Sequence, residues 1–255
     1  MKYYLIKLYF ILIVNVLLSY SVPIEVVAKL LGNDSSPLNA TATVLETKQK
    51  YNFNSDGSLK FDYPAGEPLT LLFNADLTIP TQSATVIVPQ NGLTGANNLT
   101  YQALLKGMLF ALNFTFSENK DSNSCHLIVT VFAPNKTIFD NAQGIAGVKL
   151  KILDYNQKEF DFKGNYLGIY ENGPFKGKTN IFQKGLSETS DDGGVYIANI
   201  PATTNGSNYY VTAVADGKNF TMQKIICFPD RLINLSPPYG ITTLETEPNI
   251  LESMF

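Results

Sequence analysis

The sequence predicts an all-β protein of two tandem antiparallel β-sandwich domains with one short connecting helix. Three observations predict it. A polar Asp-Gly turn feeding a short β-prone run that stops at a proline occurs twice: Ser55-Asp56-Gly57 before Leu59-Lys60-Phe61-Asp62-Tyr63-Pro64, and Ser190-Asp191-Asp192-Gly193-Gly194 before Val195-Tyr196-Ile197 and Pro201. Each run is answered by a second, Leu69–Phe73 and Tyr209–Val214, the latter rich in β-branched and aromatic residues. Helical spacing is confined to one window, where Tyr101, Leu104, Leu105, Met108 and Leu112 recur at intervals of three and four.

The elements follow in order. Ile24–Leu31 reads as a first strand, and 32–37 as a turn-rich break. Ala42–Glu46 is a second strand. Leu59–Tyr63 alternates apolar and polar residues as a half-buried strand does. Leu69–Phe73 and Ser83–Pro89 complete a first sandwich over 22–97. Residues 98–124 hold the helix and a polar linker; Gly107 weakens that helix. A second sandwich spans 125–238. It opens with Cys125–Ala133, continues with Gly147–Leu153, and includes Phe220–Cys227. Between its strands lies an insertion, 154–189, rich in Gly, Asn, Lys and Tyr and weakly periodic. Residues 239–255 read as an acidic tail.

The N-terminus points to export. Lys2 and Lys7 precede the apolar run Leu8–Leu18, and Ser19 and Ser21 place small residues at −3 and −1 of a cut before Val22. This is the layout of a secretory signal peptide over 1–21. Eight Asn-x-Ser/Thr sequons stand at Asn33, Asn39, Asn98, Asn113, Asn135, Asn205, Asn219 and Asn234, the acceptors of N-glycans in a eukaryotic secretory route. The only two cysteines, Cys125 and Cys227, read as a disulfide in an exported chain. With 45% hydrophobic residues the chain can bury cores, and a net charge of −3 without a basic stretch gives no nucleic-acid footprint. After signal cleavage no membrane segment is expected.

These residues resemble the carboxypeptidase-regulatory-like, or transthyretin-like (prealbumin-like), β-sandwich modules of exported proteins, a variety of immunoglobulin-like sandwich. The second half offers Ala146-Gly147-Val148-Lys149-Leu150, the Ser190–Gly194 turn, Val195-Tyr196-Ile197, Ile200-Pro201-Ala202 and Tyr210-Val211-Thr212-Ala213. The first half offers 37–42, Ser55-Asp56-Gly57, Leu59-Lys60-Phe61, Pro64-Ala65-Gly66 and Leu69-Thr70-Leu71. Asn39 stands where the family has glycine, and the 154–189 insertion replaces a short hairpin or loop. The resemblance implies a noncatalytic module for adhesion or ligand binding, and it transfers no catalytic residue.

The residues offer little chemistry. One histidine, His126, cannot build a His-rich metal site. Cys125 and His126 are adjacent on a strand and point to opposite faces, so they cannot pair. Asp191 and Asp192 are a weak calcium candidate, with Asp154 or carbonyls of the insertion as partners. No cofactor is expected. The insertion is the candidate contact surface: Tyr166, Tyr170, Phe175 and Phe182 supply aromatic faces, and Lys176, Lys178 and Lys184 supply charge. The expected function is a secreted, glycosylated, noncatalytic module that binds an extracellular protein or glycan. The alternatives are a carbohydrate-binding surface protein and an extracellular hydrolase built on acidic residues.

Overall fold

The computed structural model describes residues 20–30, 35–119, 121–134, 136, 144–169, 179–180 and 184–244. Residues 1–19 of the signal segment, Asn33, Asn135 and the end of the tail therefore lie outside the described residues. The first strands are β1 (Ser21–Leu30), β2 (Thr41–Val44), β3 (Lys50–Asn52), β4 (Ser58–Pro64) and β5 (Pro68–Leu69). Next come β6 (Leu71–Asn74), β7 (Thr81–Gln82), β8 (Val86–Ile87) and β9 (Leu99–Ala103), then helix α1 (Lys106–Phe116). The second half holds β10 (Ser124–Phe132), β11 (Lys149–Asp154), β12 (Glu159–Phe160), β13 (Gly164–Tyr166), β14 (Gly168–Ile169) and β15 (Thr179–Asn180). It ends with β16 (Gly194–Pro201), β17 (Ser207–Val214), β18 (Gln223–Cys227), β19 (Leu232–Leu235) and β20 (Ile241–Thr242).

The two sandwiches share a sheet. Its strands run in the order β13-β16-β10-β19-β7-β6-β2-β3, with β20 also on β10, so it draws four strands from the first half of the chain. A first flanking sheet, β4-β1-β9, covers one end, and a second, β12-β11-β17-β18, covers the other. The seam is the parallel pairing of β19 with β7, Leu232 opposite Thr81 and Ile233 opposite Gln82.

Alternation explains the flanking strands. In β1, Val22, Ile24, Val26 and Ala28 point inward and are buried, and the intervening positions are not. They meet Leu59 and Phe61 of β4, and Leu71 and Phe73 of β6, in the first core. The second core joins Cys125, Leu127, Val129 and Val131 of β10 to Ile152, Val211 and Ile225 of the second flanking sheet. All nine residues of β10 are buried, because its other face is covered as well. There Ile128, Tyr196 and Leu232 meet Leu109, Leu112 and Phe116 of α1 in a third core. Each such apolar side chain contributes about 1.5–3 kcal/mol by leaving water.

The repeated Asp-Gly grammar maps onto structure with its roles exchanged. In the first half the turn feeds β4 in a flanking sheet, and the answering β6 lies in the shared sheet. In the second half the turn feeds β16 in the shared sheet, and β17 lies in the flanking sheet. Each pair therefore faces across a sandwich, and neither is hydrogen-bonded strand to strand.

Two further expectations are corrected, and the disulfide is borne out. The helix begins at Lys106, and Tyr101 belongs to β9, which alternates between buried Leu99, Tyr101, Ala103 and half-buried neighbours beside β1. The helix buries Leu109, Leu112, Asn113 and Phe116, and Ser117 ends it in the left-handed conformation, its N–H bonding to Asn113 and Phe114 carbonyls. The Cys125–Cys227 disulfide forms, with both residues fully buried. It links β10 to β18 across the second sandwich, and β19 and β20 follow, both paired with β10. The predicted tail also starts too early: Ile241 is fully buried opposite Val131, and the Tyr239 hydroxyl donates to the Asn97 carbonyl at 2.6 Å.

Candidate binding surface

The insertion opens with a tight hairpin. Asp154 Oδ1 accepts the N–H groups of Asn156 (2.8 Å) and Lys158 (2.9 Å), an Asx-type turn that spends the carboxylate on its own backbone. Tyr155 at its tip is 72% exposed. The chain returns along β12, where Glu159 pairs with Lys151 at 2.8 Å, and then enters the shared sheet as β13 beside β16.

Tyr166 is not a contact residue. It is 8% exposed and packed in the second core, and its hydroxyl oxygen accepts the Leu150 N–H at 3.2 Å. Burial raises its phenol pKa. It fastens the insertion: Leu167 N–H bonds the Gly194 carbonyl, and the Ser190 hydroxyl donates to the Leu167 carbonyl at 3.0 Å. Lys184 is exposed. Tyr170, Phe175, Lys176, Lys178 and Phe182 lie outside the described residues.

The calcium grouping does not assemble around Asp154. The Ser190–Gly193 turn is closed by Gly193 N–H on the Ser190 carbonyl, and Asp191 lends its own carbonyl to Gly144 N–H at 3.0 Å. This turn sits beside Val148, just before β11, whereas Asp154 ends that strand, about 20 Å away at 3.3 Å per residue. Among the described residues no three His, Cys, Asp or Glu side chains gather in a metal-holding group.

His126 lies between α1 and the shared sheet, 2% exposed. The Tyr196 hydroxyl donates to Asn113 Oδ1 at 2.5 Å and stands 3.2 Å from His126 Nδ1, so its oxygen accepts from the Nδ1–H tautomer. Burial holds the Tyr196 phenol above its ordinary pKa. A second polar group ties the seam. Fully buried Gln82 donates to the Ile226 carbonyl at 2.7 Å and accepts from Arg231 at 2.9 Å, while the Arg231 guanidinium covers the Phe228 ring at 4.1 Å. Burial lowers the Arg231 pKa.

The sequons divide. Asn39, Asn205 and Asn219 are exposed and Asn98 is half-buried. Asn113 and Asn234 are 8% and 7% exposed, and their amides are bonded inside, Asn113 to Tyr196 and Asn234 to the Gln102 carbonyl at 3.0 Å. Those two cannot accept a glycan in the folded chain. An open cleft of about 480 Å³ lies between residues 37–41 and 52–55, beside Asn39.

The sequence reading missed the outer face of α1. Phe110 and Phe114, four residues apart, are 74% and 80% exposed. Both were legible as apolar residues outside the buried stripe, since Leu109 and Leu112 already fill the inward positions.

Among the described residues the fold is an all-β double sandwich with one α-helix and one disulfide. No family model matches the chain, and no curated protein matches it. Among solved structures it is similar to the TIE protein of Bacillus anthracis, at 10% identity and a TM-score of 0.28 over 88% of this chain; it spans only 34% of that protein. It is similar to the shaft pilin SpaA of Lactobacillus rhamnosus GG (D295N mutant) at 10% identity and a TM-score of 0.27, covering 89% of this chain and all of the other. A streptococcal ancillary pilin gives 10% identity and a TM-score of 0.28, covering 88% of this chain and 69% of that one. None of the three defines a family or a function for the chain.

Proposed function

We propose that the chain is a secreted, N-glycosylated, noncatalytic interaction module that engages an extracellular protein or glycan through the segment carrying Tyr170, Phe175, Lys176, Lys178 and Phe182. The observation that supports this reading is the fastening of the insertion. Tyr166 and Leu167 hold one end to the shared sheet and Ser190 holds the other, on a scaffold stapled by a buried disulfide. A loop rooted on rigid strands is the arrangement in which contact residues are positioned at little ordering cost. Buried His126, Tyr196 and Gln82 and half-buried Arg231 are engaged in joining helix, sheets and halves. Kinship with carboxypeptidase-regulatory-like modules belongs to the same reading. It is supported by the twofold passage from Asp-Gly turn to strand to the opposite sheet.

The test is retention of the secreted chain on intact cells and on insoluble polysaccharides, with Tyr170→Ala plus Phe175→Ala beside it. Loss of retention by the folded variant is expected. Undiminished retention removes the insertion from the interface, and retention on polysaccharide alone selects the glycan as ligand.

A further inference from the structure

The outer face of α1 is a second surface, independent of the insertion. Leu105, Lys106, Gly107, Phe110, Phe114 and Ser117 are exposed along it, with Ala111 half-buried at its side. Leu77 joins this face. Its carbonyl accepts the first helical N–H, from Lys106, at 2.9 Å, and it is 75% exposed at a positive φ of 61°. A branched residue in the left-handed region is uncommon and costs backbone energy. Here it presents an apolar side chain to water beside a helix face that is already apolar.

We infer that this face is the interface of a symmetric dimer, with α1 of one copy packed antiparallel on α1 of a second copy of this chain. Three features of the face argue for that occupant. The first is self-complementarity. In an antiparallel crossing centred between Phe110 and Ala111, residue 107 meets residue 114 of the other copy, and 110 meets 111. Phe114 then fills the hole left by Gly107, where a Cβ would meet no atom within 4 Å, and Phe110 lies beside Ala111. Knob and hole sit on one face, as an isologous contact requires.

The second is area. Phe110 and Phe114 at about 200 Å² per ring, reduced to their exposed fractions, offer about 300 Å², and Leu77 about 100 Å² more. Two copies therefore bury about 800 Å² of apolar surface, and the polar rim brings the total to the roughly 1,000 Å² at which specific interfaces begin. The third is charge. The first turn of α1 carries a cation, Lys106, and no acid, which opposes its own helix dipole. Antiparallel pairing sets Lys106 against the C-terminal end of the other helix, where a cation is favoured. A lipid surface fits poorly, since membrane-lying helices carry several Lys or Arg and this face carries one.

Sedimentation equilibrium of the secreted full chain tests this, from about 1 to 200 μM. The expected result is a reversible monomer–dimer equilibrium. Phe114→Glu, at an exposed position, is expected to weaken it by about thirtyfold or more, the size of a central hot spot. Gly107→Leu separates specific pairing from general stickiness. It adds apolar surface and favours the helix, yet fills the hole, so the dimer should weaken here too. A chain monomeric throughout overturns the proposal, as does a Gly107→Leu variant that associates as well or better. Binding to phosphatidylserine-containing vesicles by a chain that is monomeric in solution reassigns the face to a membrane. Circular dichroism of each variant establishes that it is folded.

Discussion

Replacing Tyr196 by phenylalanine tests the polar joint beneath α1. The side chain is fully buried, and its hydroxyl is a partner of two buried groups, donating to Asn113 Oδ1 at 2.5 Å and lying 3.2 Å from His126 Nδ1. The ring keeps its packing against Phe116 and His126 in Tyr196→Phe, so apolar burial barely changes. What is lost is one hydrogen bond from each of two desolvated partners. A buried group deprived of its bond costs about 1–3 kcal/mol, and two such losses sharing one hydroxyl place the expected effect at about 2–3 kcal/mol. Urea unfolding followed by far-ultraviolet circular dichroism reads this. With a slope near 2–3 kcal/mol per molar, the midpoint falls by about 1 M. Adding Asn113→Leu to Tyr196→Phe removes both partners of the shorter bond, and it should recover part of the loss. A midpoint shift below about 0.3 M for the single variant, with an unchanged slope, refutes the claim that this joint stabilises the fold. Because one sheet runs through both sandwiches, the transition should also be single.

Removing the disulfide by Cys125→Ala plus Cys227→Ala opens a loop of 102 residues and is expected to cost about 4–5 kcal/mol in the chain-entropy description, read by the same urea titration. High pH should unfold the protein through its tyrosines. Burial holds Tyr51, Tyr63, Tyr101, Tyr166, Tyr196 and Tyr209 above their ordinary pKa and pushes Tyr239 up to about 12. A raised folded pKa means the stabilisation is complete below pH about 10 and is lost as pH climbs toward 12 and beyond. The part of the absorbance at 295 nm that belongs to these seven tyrosines should therefore rise in a cooperative step that coincides with loss of circular dichroism, whereas ionisation of all the tyrosines before any loss of circular dichroism contradicts the burial. Glycopeptide mapping of chain made in a eukaryotic secretory host should find glycans among Asn39, Asn98, Asn205 and Asn219 and none at Asn113 or Asn234. Occupancy at either buried asparagine contradicts its placement.

Much of the fold was legible because flanking strands carry one wet face. Leu59-Lys60-Phe61-Asp62-Tyr63 shows its period of two in plain view, and the structure buries those three apolar residues and exposes the two charges. Legibility failed where both faces are covered or a strand is too short to show a period. β7 is two residues long and β19 four, all buried, so neither displays alternation, and the seam they form was invisible. β9 was read as helix because Tyr101 and Leu104 are three apart, although Leu104 belongs to the turn before α1. At the candidate site, Tyr166 looked like a surface aromatic among Gly, Asn and Lys. Its burial depends on β13 joining β16, a pairing that local sequence does not encode.

The seam between β7 and β19 has a consequence for biosynthesis. About 150 residues separate Gln82 from Leu232, so at about 5–20 residues per second the first half waits roughly 8–30 s for the strand that completes its sheet. During that interval the open edge is Thr81-Gln82, a polar pair preceded by Pro80, which offers a short, blunted template to other nascent chains. Arg231 stands just ahead of β19 and bonds Gln82, so this seam is joined by a charged hydrogen bond where a longer hydrophobic edge would have invited aggregation. Chains stalled before residue 231 should accordingly stay soluble but remain open to protease near Gln82 until the C-terminal strands emerge.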